Sequence, residues 1–288
     1  MTHNPIEPSE TKPSGLSRRW IFAILIAAFL FVLMPFLFWR ATWFGRPLSD
    51  DEIARNLADQ EHPHKTQHAL AQIAERMLSR DPATRANARR WYPAIVTFAA
   101  SPVAELRVTA AWVMGQDNSS WEFRGSLQRL LQDAHPMVRR NAALALVRFG
   151  DASGAGEMGA MLEPYVVRAP QTGRLAERLK PGDTLNPGTL LGRIRMRQNT
   201  MEIRSQVPGS LDHWLVSDGA AVAAGDPIAA VSPSAEEAWE ALRGLFLIGR
   251  PEDLPIVERY AHGVPGFPDS VQKQAMLAAR AIRQRAGQ

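Results

Sequence analysis

Residues 166–194 read VVRAPQTGRLAERLKPGDTLNPGTLLGRI, and residues 201–231 read MEIRSQVPGSLDHWLVSDGAAVAAGDPIAAV. In both stretches, short apolar runs alternate with glycine and proline, which predicts short strands joined by tight turns. Four pairs of positions match: Arg168 with Arg204, Gly173 with Gly209, Gly182 with Gly219, and Gly188 with Gly225. We interpret the first two glycine pairs as structural, where a turn needs positive φ or the backbone approaches closely. The duplication predicts a domain with pseudo-two-fold symmetry.

This duplicated pattern resembles the biotinyl/lipoyl-like domain, and especially its version in HlyD-type membrane fusion proteins, the periplasmic adaptors of bacterial exporters. The resemblance implies an all-β barrel-sandwich hybrid over residues 161–233. Carriers of this family present a modifiable lysine on the hairpin between their halves. Here that hairpin, residues 196–201, reads MRQNTM, and Lys180 does not match the attachment position. We therefore expect no covalent biotin or lipoate and no other cofactor.

The stretch at 49–160 shows helical periodicity and helix-capping punctuation. Residues 130–146 read LLQDAHPMVRRNAALAL, which resembles a HEAT repeat, and an Arg-x-x-Ala-Ala pattern recurs after about 32 residues. In that family the Asp and Arg of the turn tie neighbouring repeats together, so we interpret Arg107, Asp133 and Arg139 as structural. Residues 234–288 return to the same helical pattern. We expect an α+β chain whose barrel is inserted into, or lies between, pieces of one α-solenoid.

An apolar stretch near the N-terminus predicts a membrane anchor. Residues 20–39 read WIFAILIAAFLFVLMPFLFW and carry no charge, and about 20 apolar residues match the thickness of a bilayer. We expect a single transmembrane helix at 19–43 that follows a cytoplasmic tail at 1–18. The basic residues before this stretch favour a body outside the cytoplasm. The predicted location is the bacterial inner membrane, with the C-terminal body in the periplasm.

Composition excludes several kinds of site. The chain has no cysteine, which excludes disulfides, thiolate metal sites and cysteine catalysis. Its formal net charge is +4. We expect no nucleic-acid partner, because the body is predicted to face outward. The expected partners are the membrane and the integral or periplasmic subunits of a membrane protein complex.

No catalytic constellation stands out in the sequence. His64 and His68 could share one helix face and hold a transition metal, but spacing fixes no third ligand. We favour a solvated helix start and assign no metal site. Arg193, Arg195 and Arg197 alternate with apolar residues, which fits either a basic stripe for anionic partners or, preferably, the solvated face of a strand.

These patterns together favour a protein-binding function without catalysis. The leading hypothesis is a membrane-anchored scaffold or accessory subunit of a respiratory, energy-converting or similar inner-membrane complex, which binds partner proteins through the solenoid and the unmodified barrel. One alternative is an HlyD-like periplasmic adaptor of an exporter, although the long helical hairpin of such adaptors is missing. An alternative of another class is a cofactor carrier or a lyase-type enzyme.

Overall fold

The computed structural model describes residues 18–42, 46–59 and 61–287. The predicted tail lies almost wholly outside these residues. The helices that precede the sheets are α1 (Arg18–Thr42), α2 (Asp50–Ala58), α3 (Pro63–Met77), α4 (Pro82–Ala88), α5 (Tyr92–Phe98), α6 (Ala104–Met114), α7 (Trp121–Leu130), α8 (Pro136–Arg148) and α9 (Ala155–Met161). The strands are β1 (Tyr165–Arg168), β2 (Gly173–Glu177), β3 (Thr184–Leu185), β4 (Leu190–Arg195), β5 (Thr200–Arg204), β6 (Gly209–Trp214), β7 (Ala221–Val222) and β8 (Pro227–Ser232). The chain ends with α10 (Ala235–Ile248), α11 (Leu254–Ala261) and α12 (Asp269–Ala286).

The membrane prediction needs correction. A crossing requires a helix that is both long and apolar, and within the residues that the structure describes no helix meets this requirement. The prediction of a transmembrane helix at 19–43 is therefore wrong, and so is the single-pass inner-membrane location that rested on it. The α+β organisation is observed, with helices, two sheets and helices again in chain order.

From α5 onward, helices that are consecutive in the chain pack in pairs. The pairs are α5 with α6, α7 with α8, α9 with α10, and α11 with α12. The second helices of the pairs also contact one another in sequence, from α6 through α8 and α10 to α12. Small buried residues on these helices, such as Ala110, Ala142 and Ala241, allow the close approach. This nearest-neighbour stacking is typical of an α-solenoid.

Eight strands form two four-stranded antiparallel sheets, ordered β1-β8-β6-β3 and β5-β4-β2-β7. If four is added to each strand number of the first sheet, and eight is subtracted wherever the sum exceeds eight, the result is the second sheet in the same order. The pseudo-two-fold symmetry that the duplication predicts is therefore present in the strand pairing. Side chains of both sheets share one apolar core, which includes Leu175, Ile194 and Leu211. The strands β1 and β5 are edge strands at equivalent positions of the two sheets, and so are β3 and β7.

The β domain that these two sheets form, called the barrel below, is inserted between the two helices of the third pair. Three residues, 162–164, connect α9 to β1, and two residues, 233–234, connect β8 to α10. Although 73 residues separate the two helices, α9 packs directly against α10. The carbonyl of Leu162 accepts hydrogen bonds from the Tyr260 hydroxyl at 2.8 Å and from Arg259 at 2.9 Å, which holds the entry to the barrel. Short connections and these bonds fix the barrel on the solenoid.

The matched glycines occupy equivalent places in the two halves. Gly182 and Gly219 have φ of +92° and +76° and lie in tight turns. Gly173 and Gly209 begin β2 and β6. A Cβ on Gly173 would lie 2.7 Å from the carbonyl oxygen of Arg195. Gly182 and Gly219 thus combine positive φ with open space, whereas another backbone approaches Gly173 and Gly209 closely, and Gly209 also has a φ of +145°.

Candidate functional site

The solenoid edge beside the barrel is held by a partly buried ion pair between repeats. Arg107, at the start of α6, donates from Nε to Asp133 Oδ2 at 2.7 Å and from Nη2 to Oδ1 at 2.9 Å. Asp133 lies in the turn before α8 and also accepts from the backbone N–H of His135 at 2.8 Å. The bond from Arg107 holds the pKa of Asp133 below its usual value. This arrangement rigidly positions the first residues of α6 and α8.

At the third helix pair, α9 with α10, the barrel stands in place of the turn that connects the two helices. The arginines of α8 therefore bind acidic residues on α9 and α10 instead of an aspartate in a turn. Arg139, the counterpart of Arg107, donates to Glu157 on α9 at 3.0 Å. Arg140 forms a buried ion pair with Glu237 on α10, across the insertion. The second oxygen of Glu237 is buried without a hydrogen-bond partner, and burial raises the pKa of this carboxyl. These two contacts join the solenoid on either side of the barrel.

A cleft of about 1040 Å³ separates the barrel from the starts of α6 and α8. Its solenoid wall includes Glu105, Val108, His135 and Met137, and its barrel wall comprises residues 165–170 and 202–206 together with the turn at Pro187 and Gly188. The barrel wall therefore contains the symmetry-related edge strands β1 and β5. Tyr165 and Gln206 bridge the two edges, with a hydroxyl-to-amide hydrogen bond of 2.9 Å.

Both edge strands present backbone groups to the cleft that no other strand pairs with. β1 pairs only with β8, and β5 only with β4, among the described strands. Ala169 exchanges hydrogen bonds with Gly225 and Asp226, and Ser205 does so with Gly188 and Thr189. Since hydrogen-bonding direction alternates along an antiparallel strand, residues 166 and 168 of β1 and residues 202 and 204 of β5 point their N–H and C=O groups outward.

The two arginines of the duplication flank this cleft. Arg168 donates to the carbonyl of Gly225 at 3.0 Å, and Arg204 donates to the carbonyl of Gly188 at 2.7 Å. Arg204 also donates from Nε to Glu202 at 3.0 Å. The position equivalent to Glu202 in the first half is Val166, which is 39% exposed. Symmetry therefore breaks at the cleft, where one edge is charge-compensated and the other presents an exposed valine beside an arginine without a described acidic partner.

His135 contributes an imidazole ring to the lining of the cleft. Its Nδ1 is buried without a hydrogen-bond partner, and burial lowers the pKa of its imidazole. The cleft as a whole combines apolar side chains with amide, guanidinium and carboxylate groups. Such a lining suits recognition of a polypeptide, with apolar contacts for affinity and polar groups for register.

A second groove runs along the helices α6, α8 and α10, away from the barrel edges. It has a volume of about 640 Å³. Trp112 and Leu247 line it and are 44% and 52% exposed. Arg148 and Arg243 also line it. This groove offers a further concave surface of the solenoid.

The residues that the sequence offered as metal ligands, attachment sites or anion contacts do not come together in one site. His64 and His68 are both exposed on α3, and among the described residues no group of three or more His, Cys, Asp or Glu side chains could hold a metal. Lys180 is exposed in the turn between β2 and β3, away from the hairpin between the halves. Of the arginine stripe, Arg193 pairs with Glu202 at 3.5 Å.

Sequence reasoning missed Val166, His135 and the Arg140–Glu237 pair. Val166 could have been found from the sequence, because an alignment of the two copies matches Val166 with Glu202. The Arg140–Glu237 pair could not, since 97 residues separate its partners.

Comparison with known proteins supports the helical part of this description. The family model of HEAT repeats matches residues 92–167, so the chain contains HEAT repeats. No curated protein matches the chain. The chain is similar to a solved structure of a single-chain, multi-domain long-chain acyl-CoA carboxylase, with 20% identity over 44% of this chain and 10% of that chain, at a TM-score of 0.24. This chain thus spans about a tenth of that enzyme's length. Membership of the HlyD family stays a prediction.

Proposed function

We propose that this chain is a non-catalytic scaffold, or accessory subunit of a larger complex, that binds a partner protein in the cleft between its HEAT-repeat solenoid and its unmodified barrel. The observation that carries this proposal is the insertion of the barrel within one helix pair through connections of three and two residues. A rigid insertion creates a permanent concave surface, and permanence lowers the entropy cost of binding.

The lining of the cleft supports a protein ligand. Val108, Met137 and Val166 supply apolar contacts, while unpaired strand edges supply backbone donors and acceptors. HEAT-type solenoids use such extended concave surfaces for binding other proteins. The hairpin at residues 196–201 offers no lysine for a carrier function.

The proposal is tested by quantitative affinity capture of the full chain from its native cells. We expect one protein to be recovered in a fixed molar ratio with the wild-type chain. Val108→Arg, which places a charge on the solenoid wall of the cleft, should reduce that ratio at least severalfold. Leu277→Arg is the matched control, because Leu277 is exposed on α12 and does not line the cleft.

Two results would contradict the scaffold. The first is recovery of no protein in a fixed ratio, and the second is equal recovery by the wild type and Val108→Arg. The intact mass of the captured chain separately tests the carrier alternative. A mass above that of the unmodified chain by one biotinyl or lipoyl group would favour a carrier.

A further inference from the structure

β1 has the features of a strand that receives another strand. It lies at the edge of its sheet and pairs with β8 on one side only. The backbone groups of Val166 and Arg168 that point away from β8 make no hydrogen bond among the described residues, whereas the groups of Ala169 point inward and bond to Gly225 and Asp226. Unpaired edges are templates for strand addition unless a protein protects them.

β1 carries little of the protection that edge strands usually have. Its bulge lies on the side of β8, between the pairs Val167–Ala229 and Arg168–Pro227, so the outer edge of β1 keeps a regular alternation. Its outward side chains are Val166, which is 39% exposed, and Arg168. The symmetry-related edge of β5 differs, because Glu202 and Arg204 pair with each other there. β1 is therefore the more receptive of the two edges.

The side chains on β1 also indicate what the added strand contains. Val166 and Arg168 lie on the same face of the sheet, two residues apart, and cross-strand neighbours on one face contact each other directly. A residue opposite Val166 gains burial if it is apolar. A residue opposite Arg168 gains an ion pair if it is acidic, because the guanidinium bonds only the carbonyl of Gly225 in the described structure.

We propose that the cleft binds an extended segment of a partner protein, which adds to the outer edge of β1 as a fifth strand and carries an acidic residue two positions from an apolar one. This inference rests on the proposed function and specifies its binding mode. The main-chain hydrogen bonds give affinity, and Val166 and Arg168 select the sequence.

The test begins with a display library of random peptides of about ten residues, enough to cover one strand, selected on the immobilised full chain. We expect the selected peptides to share an acidic residue two positions from an apolar one. Hydrogen exchange of the wild-type chain should show that a selected peptide protects the amides of Val166 and Arg168. The amide of Val167, which faces β8, should already be protected without peptide.

Proline variants separate a backbone contact from a side-chain contact. Val166→Pro removes an outward N–H, which an edge strand tolerates, so we expect unchanged thermal stability and an affinity lower by about tenfold or more. Val166→Thr keeps the N–H and should bind within about threefold of wild type. Arg168→Ala should weaken peptides that carry the acidic residue and leave peptides without it unchanged.

The inference is overturned if selected peptides bind without protecting the Val166 and Arg168 amides, if Val166→Pro binds them as the wild type does, or if the library yields no binding peptide. If the wild-type chain self-associates and the Val166→Pro chain does not, the edge binds a second copy of this chain instead.

If the partner that is captured with the full chain binds Val166→Pro and wild type equally, the strand-addition proposal fails and the scaffold proposal stands. If no partner is captured at all, the scaffold itself fails.

Discussion

Gly209 and Gly182 both have positive φ, of +145° and +92°, but their surroundings differ. A Cβ on Gly209 would overlap the carbonyl oxygen of Ser232 on the paired strand β8, whereas a Cβ on Gly182 would meet no atom within 4 Å. Position 209 therefore combines backbone strain with a collision, and position 182 has strain alone. The two positions should therefore respond differently to substitution by alanine.

We expect Gly209→Ala to lower the free energy of unfolding by about 3 kcal/mol or more, since the strand pair β6–β8 must separate to admit the methyl group. Gly182→Ala should lower it by about 1 kcal/mol, the strain of a left-handed conformation. Denaturant unfolding of the full chain measures both. Equal effects of the two substitutions would contradict the close approach at Gly209.

Arg107 and Asp133 give a prediction for pH dependence. Their side chains are 16% and 10% exposed, so Arg107→Ala leaves a mostly buried carboxylate without its partner and should cost about 2 kcal/mol at pH 7. The pKa of Asp133 is lowered in the folded state by Arg107. The stability from this pair is therefore fully present above the unfolded pKa of about 4 and is lost as the pH falls toward the folded pKa.

The measurement is the difference in unfolding free energy between wild type and Arg107→Ala as a function of pH. We expect a constant difference from about pH 5 to 7 and a shrinking one below about pH 4. Arg193→Ala is the control, because its pair with Glu202 is about half exposed and should contribute less than about 1 kcal/mol. A difference that does not depend on pH would contradict an ion pair at Arg107.

At the scale of elements, an ion pair between α8 and α10 connects the part of the solenoid that precedes the barrel in the chain with the part that follows it. Arg140 and Glu237 are 6% and 10% exposed at the side chain, so removing one charge buries the other uncompensated. We expect Arg140→Met to cost about 3 kcal/mol, and the double variant Arg140→Met with Glu237→Leu to recover most of that loss. Thermal unfolding of the two variants and of Glu237→Leu alone forms a double-mutant cycle. A double variant whose loss equals the sum of the single losses would contradict direct coupling.

The elements differ in how far their sequence predicts them. The turns at Gly182 and Gly219 and the repeats around Arg107 and Asp133 follow from local signals, namely glycine in tight turns and a recurring helix start. The strand symmetry follows from the duplication. The transmembrane prediction was wrong although it rested on a local apolar run, since no described helix is long and apolar enough for a crossing.

The candidate site could be predicted only in part. The match of Arg168 with Arg204 places two arginines at equivalent positions, but the sequence does not say that both edges face the solenoid. That arrangement depends on the packing of α9 against α10 on either side of the insertion. The same long-range packing brings Arg140 to Glu237. Contacts of this kind are invisible to periodicity, because they depend on how separate elements dock.

At the scale of the whole molecule, the solenoid and the barrel act together. The solenoid supplies the starts of α6 and α8, and the barrel supplies two unpaired edges, so neither alone encloses the cleft. The account predicts that a partner contacts both walls at once. It also predicts that the groove at Trp112 is separate from this contact, because it lies on α6, α8 and α10 without any barrel residue.

Site-specific photo-crosslinking in native cells shows whether one partner contacts both walls of the cleft. A photoreactive residue replaces Glu105 on the solenoid wall, Pro187 on the barrel wall, or Leu277 on α12 as the control position. All three side chains are exposed. We expect the two cleft positions to yield the same covalently linked protein and position 277 not to yield it. Adducts to different proteins from the two walls, or an equal yield from position 277, would contradict a shared binding cleft.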